Sequence, residues 1–330
     1  MAYSSGSLIL DDDYNIFATG SATGAADHNV ANINSVWGAG STDRGYGQTN
    51  TVASVNAGAT ITATQWTNLL NRISSAASHQ GSSITAITNP TVGNTITAFT
   101  ALQNNINTVF NNRRNAAASG TDITAGGSVS GTTSWYVQAQ TTTTVTFANA
   151  NAARYFFNAG GMIRLTPIRS GTANTKSTDW NTLATACGTI AFTGGGSRSV
   201  ASVNYTGTNK IGGSGTTNIL ATTTGFYSLT PGAAETVIFK QFSAASPYTA
   251  NFIQVGVALN AASTVLTFRM TFRDDAADVP TLPDGSANTL DLVQGTTGCT
   301  HVVRPPSTAH ISNTWGTPTI SGSIAYIVGP

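Results

Sequence analysis

Ser134-Trp135-Tyr136-Val137-Gln138-Ala139-Gln140, running on through Thr141 to Val145-Thr146-Phe147, is where the chain changes character. Trp135, Val137 and Ala139 alternate with polar residues, and Val145 and Phe147 continue the alternation. Successive side chains of a strand point to opposite faces, so a period of two predicts a half-buried β-strand. Further on, Tyr155–Phe157, the turn signal Asn158-Ala159-Gly160-Gly161 and Met162–Leu165 read as a hairpin. More strands are predicted at 188–192, 236–239, 252–259, 265–272 and 323–328. One helix interrupts them, Ser177 to Ala186, with Trp180 and Leu183 facing inward. Gly-rich 194–196 and 212–215 read as flexible loops. Short strands separated by turns suit an antiparallel sandwich or jelly roll over residues 132–330.

Before this body the pattern is helical. Asp12 to Phe17 reads as a short helix with an aspartate cap. Asp27 is placed to cap a second helix in which Val30, Ile33, Val36 and Trp37 share a face, ending at Gly38. Thr62 to Gln65 has the T-x-x-Q pattern of a capping box. The helix that follows puts Trp66, Leu69, Leu70 and Ile73 on one face and stops at Gly81. A fourth begins near Thr97 and aligns Phe99, Leu102, Ile106, Val109 and Phe110. Thr60-Ile61-Thr62-Ala63 and Thr95-Ile96-Thr97-Ala98 precede the last two, which look like copies packed as a helical hairpin. Between the earlier helices lies a glycine-flanked aromatic turn, Gly45-Tyr46-Gly47-Gln48. The expected organisation is α+β: a helical module at 1–118, usable for docking, a Gly/Ser/Thr-rich linker at 119–131, and the β domain.

Composition narrows the function classes. Charged residues make up 8% of the 330, with a net charge of +1, against about 25% charged in an ordinary soluble domain. Glu235 is the lone glutamate, and Lys176, Lys210 and Lys240 are the lysines. Hydrophobic content of 40% argues against charged disorder. Thr suits pleated surfaces, while Gly and Asn suit turns. The balance gives no case for nucleic acid or an anionic membrane as partner. The adjacent pair Arg113-Arg114 reads as a complement to a helix dipole. No apolar run approaches the ~20 residues of a membrane span. Met1 to Leu10 lacks a basic segment followed by an apolar core, so folding in the compartment of synthesis is expected. Weak charge repulsion between copies suits a surface covered by neighbours in an assembly.

Several of these features occur together in one family. In order they are the Asp-Tyr-Asn helix, the Gly-Tyr-Gly-Gln turn, Thr-Ile-Thr-Ala-x-x-Trp opening a helix that ends near His79-Gln80-Gly81, then Ala153 through Arg164, Asp179-Trp180-Asn181, Gly188-Thr189-Ile190, Gly225 to Thr230 and Phe268 to Asp275. This arrangement resembles virion structural proteins of tailed bacteriophages, notably contractile-tailed phages of aquatic bacteria. It runs over nearly the whole chain, and Arg-Tyr-Phe-Phe-Asn-Ala-Gly-Gly is its most specific part. Met162 stands where a polar residue is more usual, and Pro305-Pro306 and the tail after Trp315 have no counterpart. The resemblance implies a particle component: virion localisation, assembly in the host cytoplasm, other virion proteins as partners, and a homo-oligomer such as a trimer or larger ring.

Catalytic signatures are missing. There is no phosphate loop G-x-x-x-x-G-K-[ST] and no G-x-S-x-G elbow. His28, His79, His301 and His310 lack paired metal spacing, as do Cys187 and Cys299, which read as buried thiols. Glycan cleavage needs two carboxyl groups flanking one bond. Asp274 and Asp275 are neighbours after a strand and would point to opposite faces, which suits a turn cap or ion site better than a dyad. Asp11-Asp12-Asp13 suits helix capping, with Ca²⁺ ligation as the other reading. Trp135, Tyr136, Tyr155, Phe156 and Phe157 form either core or a sugar platform. No enzyme and no cofactor is expected. The candidate assembly residues are Trp66, Leu70, Phe99 and Ile106 on the paired helices, and Arg154 and Arg164 flanking the expected hairpin. The leading expectation is a tail-associated structural protein, as fibre, collar or baseplate. The alternatives are an adhesin presenting loops 194–215 and 274–290 to a host-surface glycan, a head-decoration protein, and a depolymerase using the aspartates.

Overall fold

The computed structural model describes residues 10–91, 99–124, 127–277 and 291–327. Four helices come first: α1 (Asp11–Thr19), α2 (Ile33–Trp37), α3 (Ala63–Gln80) and α4 (Phe99–Asn111). The body then runs β1 (Ser128–Gly131), β2 (Gln138–Thr146), α5 (Ala150–Asn158), β3 (Met162–Arg169), α6 (Thr175–Cys187), β4 (Thr189–Phe192), β5 (Arg198–Val200), β6 (Val203–Tyr205) and β7 (Thr208–Ile211). It finishes with β8 (Ile219–Leu220), a 3₁₀ turn at Phe226–Ser228, β9 (Thr236–Phe242), β10 (Phe252–Leu259), β11 (Val265–Arg273), β12 (Thr297–Arg304) and β13 (Thr319–Ile327). The class is α+β, a helical N-terminal region followed by antiparallel β-sheets.

One sheet has five strands in the order β1-β12-β3-β4-β7, and the other six, β13-β2-β11-β10-β9-β8. Their inner faces pack together. Phe192 of β4 meets Phe268 of β11 edge-on at 5.3 Å, and Trp135 meets Trp180 of α6 at 5.1 Å. In β2 the period of two holds along the whole strand, and its inward positions include Thr141 and Thr143, each 1% exposed. Threonine serves here as a β-branched core residue whose methyl packs inward.

The largest departure from the sequence reading lies at Ala150–Asn158. Expected as the first strand of a hairpin, it is helix α5. Asn149 caps it by accepting from the Ala152 N–H at 2.9 Å. Ala152, Ala153, Phe156 and Phe157 then fall at helical spacing and are buried. The cap and the alanines of the first turn outweigh the strand preference of three consecutive aromatics. The turn at Asn158–Gly161 and the strand from Met162 are present as expected.

Other boundaries shift for similar reasons. Asp27 does not cap α2. Asn32 does, accepting from Ser35 N–H, so the helix starts at Ile33 and leaves Val30 exposed. At α1 the cap position is Leu10, and Asp13 reaches back to accept from its N–H. The capping box of α3 and its left-handed Gly81 stop are present. The expected start of α4 at Thr97 lies outside the described residues. Gly194 and Gly195 are buried, and 194–215 carries β5, β6 and β7, so it is not a free loop. Most of 274–290 lies outside the described residues. β12 was not anticipated: Thr-Gly-Cys-Thr-His-Val-Val-Arg mixes glycine, histidine and hydroxyls, yet it sits centrally between β1 and β3.

Candidate functional site

The structure draws the Gly45–Gln48 turn and the Arg154–Gly161 stretch together. Gly45 and Gly47 adopt left-handed backbone, φ +89° and +72°. A Cβ on Gly47 would also lie 2.4 Å from the Tyr155 ring. These two glycines drive Tyr46 into the interior, where it is fully buried. Its hydroxyl donates to the Arg113 carbonyl at 2.9 Å and accepts from Gln80 Nε2 at 2.9 Å. Gln48 Nε2 donates to Ser312 O at 3.0 Å, and Ser312 N–H returns a bond to Gln48 Oε1 at 2.9 Å. His79 Nε2 donates to Ala159 O at 3.1 Å, and burial holds its imidazole down to about 4. Asn158 Nδ2 donates to Arg44 O and Gly45 O, each at 3.0 Å. The helical region is therefore fixed to the β body by directed hydrogen bonds. The stretch 119–131 also lies against the body: Ile123 bridges Val303, and β1 pairs with β12.

Trp66, Leu70, Phe99 and Ile106 are all buried in one apolar cluster that reaches into the β body. Trp66 meets Phe99 edge-on at 5.9 Å, joining α3 to α4 as the matching patterns implied. Their side chains face inward, so a surface offered to a neighbour lies elsewhere. Arg154 is on α5, where its guanidinium donates to Ala39 O at 3.1 Å and Thr42 O at 3.2 Å. Arg164, on β3, pairs with Asp122, which Arg304 also reaches at 2.8 Å. Trp135, Phe156 and Phe157 are core rather than platform. Arg113 and Arg114 both pair with Asp43, holding its carboxyl below the usual range, and Arg113 also caps Phe110 O at 3.0 Å. Glu235 pairs with Arg269 at 2.7 Å. Cys187 and Cys299 are buried free thiols, pushed up to about 12 by desolvation.

Two surface features remain. β13 pairs with β2 on one side and forms an outer edge of the six-stranded sheet. Its nine residues, Thr-Ile-Ser-Gly-Ser-Ile-Ala-Tyr-Ile, contain no charge and no proline. Thr319, Ser321, Gly322, Ser323, Ala325 and Ile327 are exposed. Proteins usually blunt such edges with charges, prolines or bulges. The second feature is a polar cleft of about 490 Å³ whose lining includes Asn111, Asn112, Asn115, Asn204, Tyr205 and Asn209. Beneath it lies Arg198, 3% exposed, which donates to Phe157 O at 2.6 Å.

Inside the body is an ionic cluster that the sequence did not reveal as a unit. Lys176, in the first turn of α6, is fully buried. Its Nζ lies 3.0 Å from Asp274 Oδ2 and 2.8 Å from Asp291 Oδ1. Asp275 points the other way and pairs with Arg273 at 2.6 Å, so the two aspartates do face apart. Nearby Asp179 accepts from Ser243 Oγ at 2.7 Å, and burial raises its carboxyl. Among the described residues no group of three or more His, Cys, Asp or Glu is placed to hold a metal ion, and no helix is long and apolar enough to cross a membrane. No family model, curated protein or solved structure matches the chain.

Proposed function

We propose that this chain is a non-enzymatic structural component of a tailed-phage particle, associated with the tail as fibre, collar or baseplate protein. It acts by pairing with further copies of itself and docking on other virion proteins. The observation that carries this reading is the uncharged outer edge at β13. Its unpaired backbone groups are a template for another strand, and nothing in its side chains opposes that pairing. The low charge of the whole chain and the resemblance in its motifs point the same way. A trimer or larger ring would close each edge against a neighbour. The test is mass spectrometry of washed virions combined with light scattering of the purified chain. Detection in the particle and a closed oligomer are expected; a chain missing from washed virions and monomeric at high concentration would overturn the reading.

The asparagine-lined cleft favours a second reading, an adhesin for a host-surface glycan. Asparagine amides both donate and accept, as sugar hydroxyls require. Glycan-array binding that is lost in Asn204→Ala, an exposed lining residue, would support it, and an array with no signal would remove it.

A further inference from the structure

Lys176, Asp274 and Asp291 form an arrangement suited to covalent chemistry. The Lys176 and Asp274 side chains have no solvent exposure, and Asp291 has 16%. Trp180 stands one turn along α6 from Lys176, edge-on to Trp135 and 6.1 Å from Phe272. Phe272 in turn precedes Asp274 by two residues, on the same face of the chain. The amine and the Asp274 carboxyl thus sit beside an aromatic wall, away from water, while Asp291 keeps partial exposure. Two carboxylates on one ammonium would leave a buried net negative charge, which is costly. A proton taken up by the cluster removes that charge. Passing a second proton from the ammonium to a carboxylate leaves a neutral amine beside a neutral acid.

We infer that Lys176 and Asp274 are joined through an intramolecular isopeptide bond, formed within the folded chain with Asp291 as proton shuttle. The Lys176 Nζ lone pair attacks Asp274 Cγ while the Asp291 carboxyl, protonated, donates to the Asp274 carbonyl oxygen. The resulting tetrahedral carbon carries two hydroxyls and the amine. Asp291 then takes a proton from nitrogen and delivers it to one hydroxyl. The C–O bond breaks and water leaves, the remaining hydroxyl returns its proton to the Asp291 carboxylate, and a neutral secondary amide remains. No oxidant, cofactor or external reactant enters the balance. Holding the groups in contact replaces a bimolecular encounter with an intramolecular one. Asp274, wholly enclosed, is the acceptor; Asp291, partly open to solvent, can exchange its proton. The product closes a loop from the first turn of α6 to the end of β11. A pull on the chain outside that loop would bypass the strands within it. The inference stands whether or not the chain proves to be a virion protein.

Electrospray mass of the purified, folded full chain tests it. The expected result is a mass about 18 Da below that of the sequence, one water lost, with a digest yielding a branched peptide that joins Lys176 to Asp274. Asp291→Asn, shown to be folded by circular dichroism, should recover its full sequence mass. A wild-type chain at full mass overturns the bond. So does a loss of water without the branch, as from cyclisation at Asp284-Gly285, or a branch ending on Asp291. A wild-type bond that also forms in Asp291→Asn overturns the shuttle. The wild-type measurement decides the main point even if every variant fails to fold.

Discussion

The seam between the two sheets and the seam between the helical region and the β body are built on different principles. The first is mainly apolar: Phe192 of β4 meets Phe268 of β11, and Phe157 of α5 packs beside them, edge-on to Phe192 at 6.1 Å and stacked on Phe226 at 4.7 Å. The second is polar, with Gln48, His79, Arg154 and Asn158 each bonded to a backbone group across it. Apolar packing is non-directional and sets how strongly two layers adhere. Buried hydrogen bonds are directional, and a misplaced one leaves a polar group unsatisfied. The helical region is consequently held in one orientation on the β body.

The largest effect should come from the apolar seam. Phe157→Ala removes a fully buried ring and should cost about 3–5 kcal/mol, read as a lower urea midpoint for the whole chain. On the helical side of the polar seam, Tyr46→Phe leaves the Arg113 carbonyl and one Gln80 donor interaction unmet. It should cost roughly 1–3 kcal/mol, with faster amide exchange in α3 and α4 and little change in β10 and β11. Equal acceleration everywhere would show that the two seams are not energetically separate.

Acid acts on both seams, through His79 at the polar one and His301 between the sheets. His79 in the folded chain titrates at about 4, below its ordinary 6.5. The unfolded chain therefore binds the proton first. Stability should fall as pH drops from about 6.5 towards 4, by on the order of 1–3 kcal/mol, and the contribution should level off below. His301, also lowered by burial, adds the same sign. His79→Gln keeps a donor for Ala159 O and should flatten the slope of unfolding free energy between pH 7 and 5; an unchanged slope would assign it to other groups. The smallest effect on the monomer belongs to β13. Ser323→Lys, at an exposed edge position, should change stability by less than about 0.5 kcal/mol while abolishing self-association in sedimentation.

How much of this was legible follows the same division. The sandwich strands and the α3–α4 pair announce themselves, because burial of one face imposes a period on the sequence. Trp66, Leu70, Phe99 and Ile106 were legible as a packed face, but a period does not say whether the face meets a neighbour or the same chain. In sequence α5 reads as strand, because its three aromatics mask the Asn149 cap and the three alanines Ala150, Ala152 and Ala153. The polar seam shows in sequence only as Gly45-Tyr46-Gly47-Gln48, since its partners are backbone carbonyls, which carry no residue identity. Lys176, Asp274 and Asp291 are far apart in the chain, and only the fold brings them together.

The ion pairs have a consequence for solution behaviour. Asp43, Asp122, Glu235 and Asp275 are matched to arginines of the same chain, while Arg154 and Arg198 are turned onto carbonyls. Charged residues make up only 8% of the chain, and these pairs take part of that charge out of reach of another molecule. Cohesion between copies should thus be nearly blind to sodium chloride, which acts by screening. It should respond to ammonium sulfate, which strengthens burial instead.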